Sequence, residues 1–375
     1  MRHSVLAVAA LAMLSGALAS GSVRAQDAGS ANAPSFAPPP PLTPHGVGMR
    51  AQAAGSGVQA PSDVREALVK AGCKQPLPPP APRPNFARRR DVGPFQYSVQ
   101  AIPGVVDAGV RWKLIWTAPG NNADGMVGLP DGTVLAAQND TSRVVRISAD
   151  GHSSIVYEDT DTGGSLAINK MGQLFIGERS LIPSVWELWP ERKLIADAYH
   201  GEPLECQGAG VMDSVVALHN GGVYFGFGGT YYASPDGQVT KVFDKPINDA
   251  VLSPDESKLY LPSGGDLYVA DVGADGMLSH THVLAPIPGG GNDGGAVDAD
   301  GRIYVSGFPG VRVFEANGHY LGTIPAPREI IDIAFAGPDK KTLFAISEVS
   351  DPGTVEHDEL FTLQMLAQGY LGRGK

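Results

Sequence analysis

Cysteine is nearly absent from this sequence. Among its 375 residues only Cys73 and Cys206 carry thiols, so no metal–thiolate centre can be assembled, and the single pairing open to them is left as bonded or free. Charge is also scarce, at 18% of residues, which excludes long solvated helices and coiled coils. Basic residues are the scarcer sign: 28 Lys and Arg against 39 Asp and Glu give a net charge of −11, and such a surface repels the phosphate backbone, so nucleic acid is excluded as a partner. No stretch reaches the ~20 apolar residues of a membrane span. None of Ser165, Ser214 and Ser253 stands in the Gly-x-Ser-x-Gly pattern of a nucleophile elbow, which removes the main support for a serine triad.

What the chain does hold is turn formers, with Gly 48 and Pro 31, and enough apolar material, at 43%, to build a core rather than a disordered coil. Residues 1–25 read as a secretory signal peptide: Met1, Arg2 and His3 precede an apolar run over 5–19, and Val23 and Ala25 offer small residues before Gln26. Export to a periplasmic or extracellular location is therefore expected. Residues 26–100 form a Pro/Ala/Gly-rich extension without periodicity that behaves as a semi-rigid tether. Within it, residues 62–72 run from a capping Ser62 to Gly72 and predict one short helix. Arg88, Arg89 and Arg90 read as a solvated charge run.

After residue 110 short Val, Ile, Leu, Tyr and Phe runs alternate with Asp-Gly and Asn-Gly turns, the pattern of antiparallel hairpins. An internal repeat follows. Asp124 precedes an apolar run and the turn Asp131-Gly132; Asp213 precedes a similar run and Asn220-Gly221; Asp293 precedes Asp300-Gly301. Gly164, Asn248 and Asp332 begin three further copies, and the six starts are spaced 40, 49, 35, 45 and 39 residues apart. A strand-built period near 40 residues predicts an all-β, six-bladed β-propeller, here over residues 101–367 with a tail over 368–375. The sixth copy has only three good strands. Residues 110–116 have no blade of their own and are expected to supply its missing outer strand, closing the ring.

Equivalent positions on the innermost strands of a propeller form a ring around its channel. The repeat starts Asp124, Gly164, Asp213, Asn248, Asp293 and Asp332 are thus brought together, and five of the six bear side-chain oxygens. Carboxylates crowded in a channel resist ionisation unless a cation compensates them. Oxygen-only donors favour one hard divalent ion, Ca²⁺ ahead of Mg²⁺ or Mn²⁺, with Zn²⁺ a further alternative. Asp or Asn at a strand start also serves simply to bond the preceding turn, and Asp332 keeps that structural reading. The register of Asp124, Asn248 and Asp293 favours the metal.

The stretches running from Asn248 to Tyr260 and from Asp293 to Tyr304 resemble the fourth and fifth blades of the SMP-30/gluconolactonase family, and the first, third and sixth copies fit more loosely. The resemblance implies a six-bladed propeller with one divalent metal in the channel that hydrolyses sugar lactones or related esters. It implies Asn248 and Asp293 as metal ligands. Asp124 stands where the family has Glu, and Asp213 where the family has a substrate-binding Asn; Asp213 is the candidate general base, substrate contact or fourth ligand.

Loops joining the second and third strands of each blade should share the mouth of the channel with these residues. Arg179, Tyr231 and residues 348–357 are thereby directed toward a substrate, although Glu178, Arg179 and His357 would also suit plain solvent exposure. His280 and His282 fall on an outer strand as a surface pair, Trp186 and Trp189 pack blades, and Gly289 to Gly291 make a flexible lead into the fifth blade. The reading is a monomeric, exported, metal-dependent hydrolase of a small-molecule lactone or ester. The competing class is a non-catalytic propeller that binds a small molecule or protein around a structural ion.

Overall fold

In the computed structural model the described residues are 71–74 and 94–375, apart from 121–122, 180–182, 208–211, 213, 291–293, 350, 352 and 354. The signal-peptide reading, the arginine run, the tether apart from residues 71–74 and 94–100, and all of the 62–72 helix except Ala71 and Gly72 lie outside them. Among the described residues, six four-stranded antiparallel sheets follow one another along the chain, and they form the blades of a propeller. Blade 1 comprises Ala123–Gly128, Val134–Gln138, Arg143–Ile147 and Ser153–Glu158, from the channel outward. The inner strands of blades 2 to 5 are Ser165–Ile168, Val215–Ala217, Val251–Leu252 and Gly295–Val297.

Burial follows position in the blade. Inner strands are covered on both faces by neighbouring blades, so Ser165–Ile168 and Val215–Ala217 are buried throughout, while the outer strand Ser153–Glu158 exposes four of its six residues. The repeated turn is held by its own acidic or amide side chain. Asp131 Oδ1 accepts from the Thr133 amide at 3.0 Å, Asn220 Oδ1 from Gly222 at 2.8 Å, Asp255 Oδ1 from Ser257 at 3.0 Å, and Asp339 Oδ1 from Lys341 at 3.0 Å. This local bonding is why an Asp or Asn recurs at that place in these four copies; in the second and fifth the same turn is held two residues earlier, by Asn169 and Asp298.

Blade 6 is composed of Asp332–Ala336, Thr342–Val349, His357–Gln364 and, as its outermost member, Lys113–Pro119. The closing strand pairs antiparallel with His357–Gln364, from Lys113 opposite Thr362 to Pro119 opposite His357. The expected closure is present, three residues further along the chain than residues 110–116.

The packed body begins earlier than residue 101. Val99, Ile102, Val105, Val106 and Trp112 share a core with Val311, Val313 and Ile324 of blade 5. The Trp112 indole donates to the Pro325 carbonyl at 2.9 Å, and Phe95 meets Phe308 edge-on at 5.1 Å. Further upstream, Cys73 is disulfide-bonded to Cys206, which settles the alternative left open by the sequence and ties the extension to the connection after blade 2.

Residues 368–375 make no strand, yet they cross the inner ends of five blades. Hydrogen bonds join Ala299 to the Gln368 carbonyl (2.8 Å), Gly369 to that of Lys340 (2.8 Å), Gly128 to that of Gly374 (3.0 Å) and Gly374 to that of Ile168 (3.4 Å), while the Arg373 guanidinium donates to the Leu252 carbonyl (2.6 Å). Gly369 is required by closeness: a Cβ there would fall 2.1 Å from Cβ of Phe335.

Candidate active-site channel

Asp124 lies on the inner strand of blade 1, where the repeat places it. Its Oδ2 accepts the Asn139 amide at 2.7 Å and is ion-paired with the Arg179 guanidinium. Arg179 follows the strand Leu174–Glu178 of blade 2, and its side chain is 8% exposed. Its Nε donates to the Met212 carbonyl at 3.1 Å, so one guanidinium spans the ring positions of blades 1, 2 and 3. The space for it comes from the one repeat start without a side chain: a Cβ on Gly164 would sit 2.2 Å from Cζ of Arg179. Arg179 is thus buried rather than solvated, and it opens the connection between the second and third strands of blade 2, where the sequence places it. It stands in the ring as a fixed positive charge.

Around this pair the wall is acidic. Asp358, on His357–Gln364, is fully buried, and its Oδ2 receives the Gln138 amide at 3.4 Å. Burial pushes its carboxyl up to about 7, with Asp140 and Asp124 adding to the rise and the Gln138 amide opposing it. Across the sheet Asp358 is opposite Glu348, itself buried. The rim here is pinned by Arg328, whose two Nη atoms each lie 2.8 Å from a carboxylate oxygen of Asp351 while Nε donates to Glu359 at 3.0 Å. His357 is drawn inward by Glu359, 3.4 Å from its Nε2.

Asn248 lies three residues before the inner strand of blade 4, with its backbone N–H donating to the Pro262 carbonyl at 3.3 Å. The next residue, Asp249, is buried with a left-handed φ of 38°. Asp249 Oδ2 is 2.6 Å from Nζ of Lys375, and Asp332 Oδ2 is 2.7 Å from the same ammonium. Asp332 also accepts the backbone amides of Met126 (2.6 Å) and Ile333 (2.7 Å), which fits its structural reading and adds an ion pair to it. Burial opposes the charge on Lys375, but Asp249 and Asp332 outweigh it and hold the ammonium above the ordinary lysine range. Neither Asp249 nor Lys375 was singled out by sequence. The only signal for Asp249 was its place beside Asn248.

Asp213 and Asp293 lie outside the described residues. Their neighbours are placed: the Met212 carbonyl holds Arg179, and the Gly294 amide donates to Ser306 Oγ at 2.6 Å. Tyr231 is a correction. It belongs to the strand Thr230–Ala233, not to a loop at the mouth, and is 2% exposed between Phe225 and Tyr199, with burial pushing its phenol up to about 12. Glu178 is likewise not solvated: it pairs with Arg192 at 2.9 Å, and burial lifts its carboxyl to about 8 against that cation. His280 and His282 are exposed on the outer strand Leu278–Pro286, as expected, and Trp186 is buried against blade 1.

Among the described residues, no three His, Cys, Asp or Glu side chains converge on a metal position. Asn248 and Asp124 nonetheless offer oxygen donors alone, which suits a hard divalent ion. Arg179 already holds one oxygen of Asp124, so an ion using Asp124 must share that carboxylate with the guanidinium.

Residues 208–348, spanning blades 3 to 5 and nearly all of the first two strands of blade 6, with the Asn248 and Asp293 copies among them, match the family model described as the SMP-30/Gluconolactonase/LRE-like region. The match is a likeness over that part of the chain, and it includes the stretches from Asn248 to Tyr260 and from Asp293 to Tyr304. Solved structures agree on the fold. A structural-genomics protein assigned as a gluconolactonase is 22% identical at a TM-score of 0.60, covering 73% of this chain and 99% of its own. A gluconolactonase from Xanthomonas campestris is 19% identical at 0.58, covering 78% and 99%. A calcium-binding regucalcin from Agrobacterium tumefaciens is 19% identical at 0.50, covering 74% and 98%. No curated protein matches the chain. Among the described residues no helix is long and apolar enough to cross a membrane.

Proposed function

We propose that this chain is an exported hydrolase that opens a small lactone or ester in the propeller channel with the help of one divalent ion, Ca²⁺ before Mg²⁺, Mn²⁺ or Zn²⁺. The observation that carries the reading is the family match over residues 208–348, which contains both Asn248 and Asp293 in the register of the repeat. Gluconolactonases among the structural neighbours support the substrate class, and a calcium-binding neighbour supports the ion.

Asn248 and Asp293 would hold the ion, with Asp124 contributing alongside Arg179. When bound, it would polarise the scissile carbonyl and make water more acidic. The chain's own part is charge and position. Arg179 is ion-paired with Asp124 and anchored by the Met212 carbonyl, while Asn139 donates to the same Asp124 oxygen, so the carboxylate is restrained from both sides. Asp213 is the proton acceptor or the contact that orients the substrate. Arg328 fixes the rim over which a small molecule would pass.

The test is turnover of a panel of sugar lactones and aryl esters before chelation, after it, and after Ca²⁺ is returned. Loss and recovery are expected. Turnover unaffected by exhaustive chelation would sink the metal. Absence of turnover across the panel, with measurable ligand binding, would favour the non-catalytic reading, which the guanidinium already seated on Asp124 makes a physical alternative.

A further inference from the structure

Residues 368–375 belong to no blade, yet their placement is over-determined. Lys340 donates its ammonium to the carbonyls of Tyr370 (2.8 Å) and Arg373. The Arg373 guanidinium donates to the carbonyls of Leu252 (2.6 Å) and Ser253 (3.2 Å) and lies 3.5 Å from Glu256. The Tyr370 ring carries Arg373 on it at 5.3 Å and Lys170 at 5.7 Å. These anchors deliver Lys375 to a point where carboxylates from blades 4 and 6 meet, at 2.6 and 2.7 Å. The lysine side chain is 12% exposed there, and those of Asp249 and Asp332 are 6% and 1%.

Two buried carboxylates converging on one point repel each other and need a positive charge between them. The point is close to Asn248 and to Gly294. Asp249 follows Asn248, and Asp332 Oδ1 lies 2.3 Å from where a Cβ on Gly294, the residue after Asp293, would be.

We infer that Asp249 and Asp332 form an inner cation site in the channel, that Lys375 is its resident cation, and that residues 368–375 are a plug that delivers it. A divalent ion is the ligand class that the same two carboxylates would take in its place. The inference is independent of the hydrolase reading, because neither carboxylate is among the groups proposed to hold the catalytic ion or to act on substrate, although Asp332 begins the sixth copy of the repeat.

The experiment is therefore run in an Asn248→Ala background, where the proposed catalytic ion is already weakened, with Ca²⁺ and Tb³⁺ as the probes. Lys375→Met should lower the melting temperature in chelator, recover it as Ca²⁺ is raised into the millimolar range, and bind one more Tb³⁺ per chain than its parent by luminescence titration. The triple change Lys375→Met, Asp249→Asn, Asp332→Asn should restore most of the stability without any ion, short of one backbone hydrogen bond, because asparagine keeps a single acceptor oxygen for the two amides that Asp332 holds. A Lys375→Met protein as stable as its parent in chelator, or a loss that neither Ca²⁺ nor the two amides repair, would overturn the inference. Should Lys375→Met alone yield no folded protein, the triple variant decides: a folded triple supports the site, and an unfolded one shows that the lysine acts through packing.

Discussion

Asp358→Asn should make the protein more stable at alkaline pH while leaving it unchanged in acid. The native carboxyl is held at about 7, against 3.8 for the ordinary group. Below about pH 4 both folded and unfolded chains carry the proton, and burial of the neutral acid costs nothing extra. As pH rises through the interval, the unfolded chain releases its proton while the native one retains it, so stability falls with pH and levels off above 7. Every tenfold difference in proton affinity between the two states corresponds to about 1.4 kcal/mol, and the whole interval to about 4 kcal/mol as an upper bound. Asparagine matches the shape, keeps an oxygen for the Gln138 amide, and has no proton to release. Urea unfolding of both proteins in chelator should give nearly equal free energies at pH 4 and a variant more stable by about 2 to 4 kcal/mol at pH 8. A variant no more stable than its parent at pH 8 would refute the claim that Asp358 is a strained, proton-holding acid.

Arg179→Met leaves Asp124 without its cation and should cost about 3 to 5 kcal/mol in chelator, as breaking a buried pair does, with part of the loss recovered when Ca²⁺ is added; denaturant titration reads both. Asp213→Asn, if the carboxylate is the general base, should lower kcat by about 10² to 10⁴ with ion affinity retained, measured by lactone kinetics and calorimetry. A chain beginning at Pro94 should retain the packed body, whereas one beginning at Gly120 loses Lys113–Pro119 and leaves His357–Gln364 unpaired, so a markedly lower melting temperature is expected only for the second.

The fold was readable because its repeat is written in local chemistry. An Asp or Asn that bonds the amide two residues on is the same device throughout, seven positions after the repeat start in four copies and five positions after it, at Asn169 and Asp298, in the other two, and it survives where the strands themselves diverge. Long-range partners leave no such mark. Nothing near Asp124 in sequence announces Arg179; the available hint was Gly164, the single ring position without a side chain, which the guanidinium fills. Lys375 looked like part of a polar tail because its partners, Asp249 and Asp332, are more than a blade away along the chain or in another blade altogether. Tyr231 was misplaced because a one-residue difference in where a strand begins decides whether an aromatic lies at the mouth or in the core.

The closing strand also orders events in time. Lys113 pairs with Thr362 and Trp116 with Leu360, so the ring is sealed by contacts between opposite ends of the body. Such contacts carry a high loop-closure entropy and form late. As a chain grows from its amino end, the strand bearing Trp116 must wait, unpaired, until every blade has been made. Blades can assemble neighbour upon neighbour, but the circle becomes cooperative only with its final strand. A lesion anywhere in blade 6 should therefore trap an open, sticky ring long before it alters any chemistry in the channel.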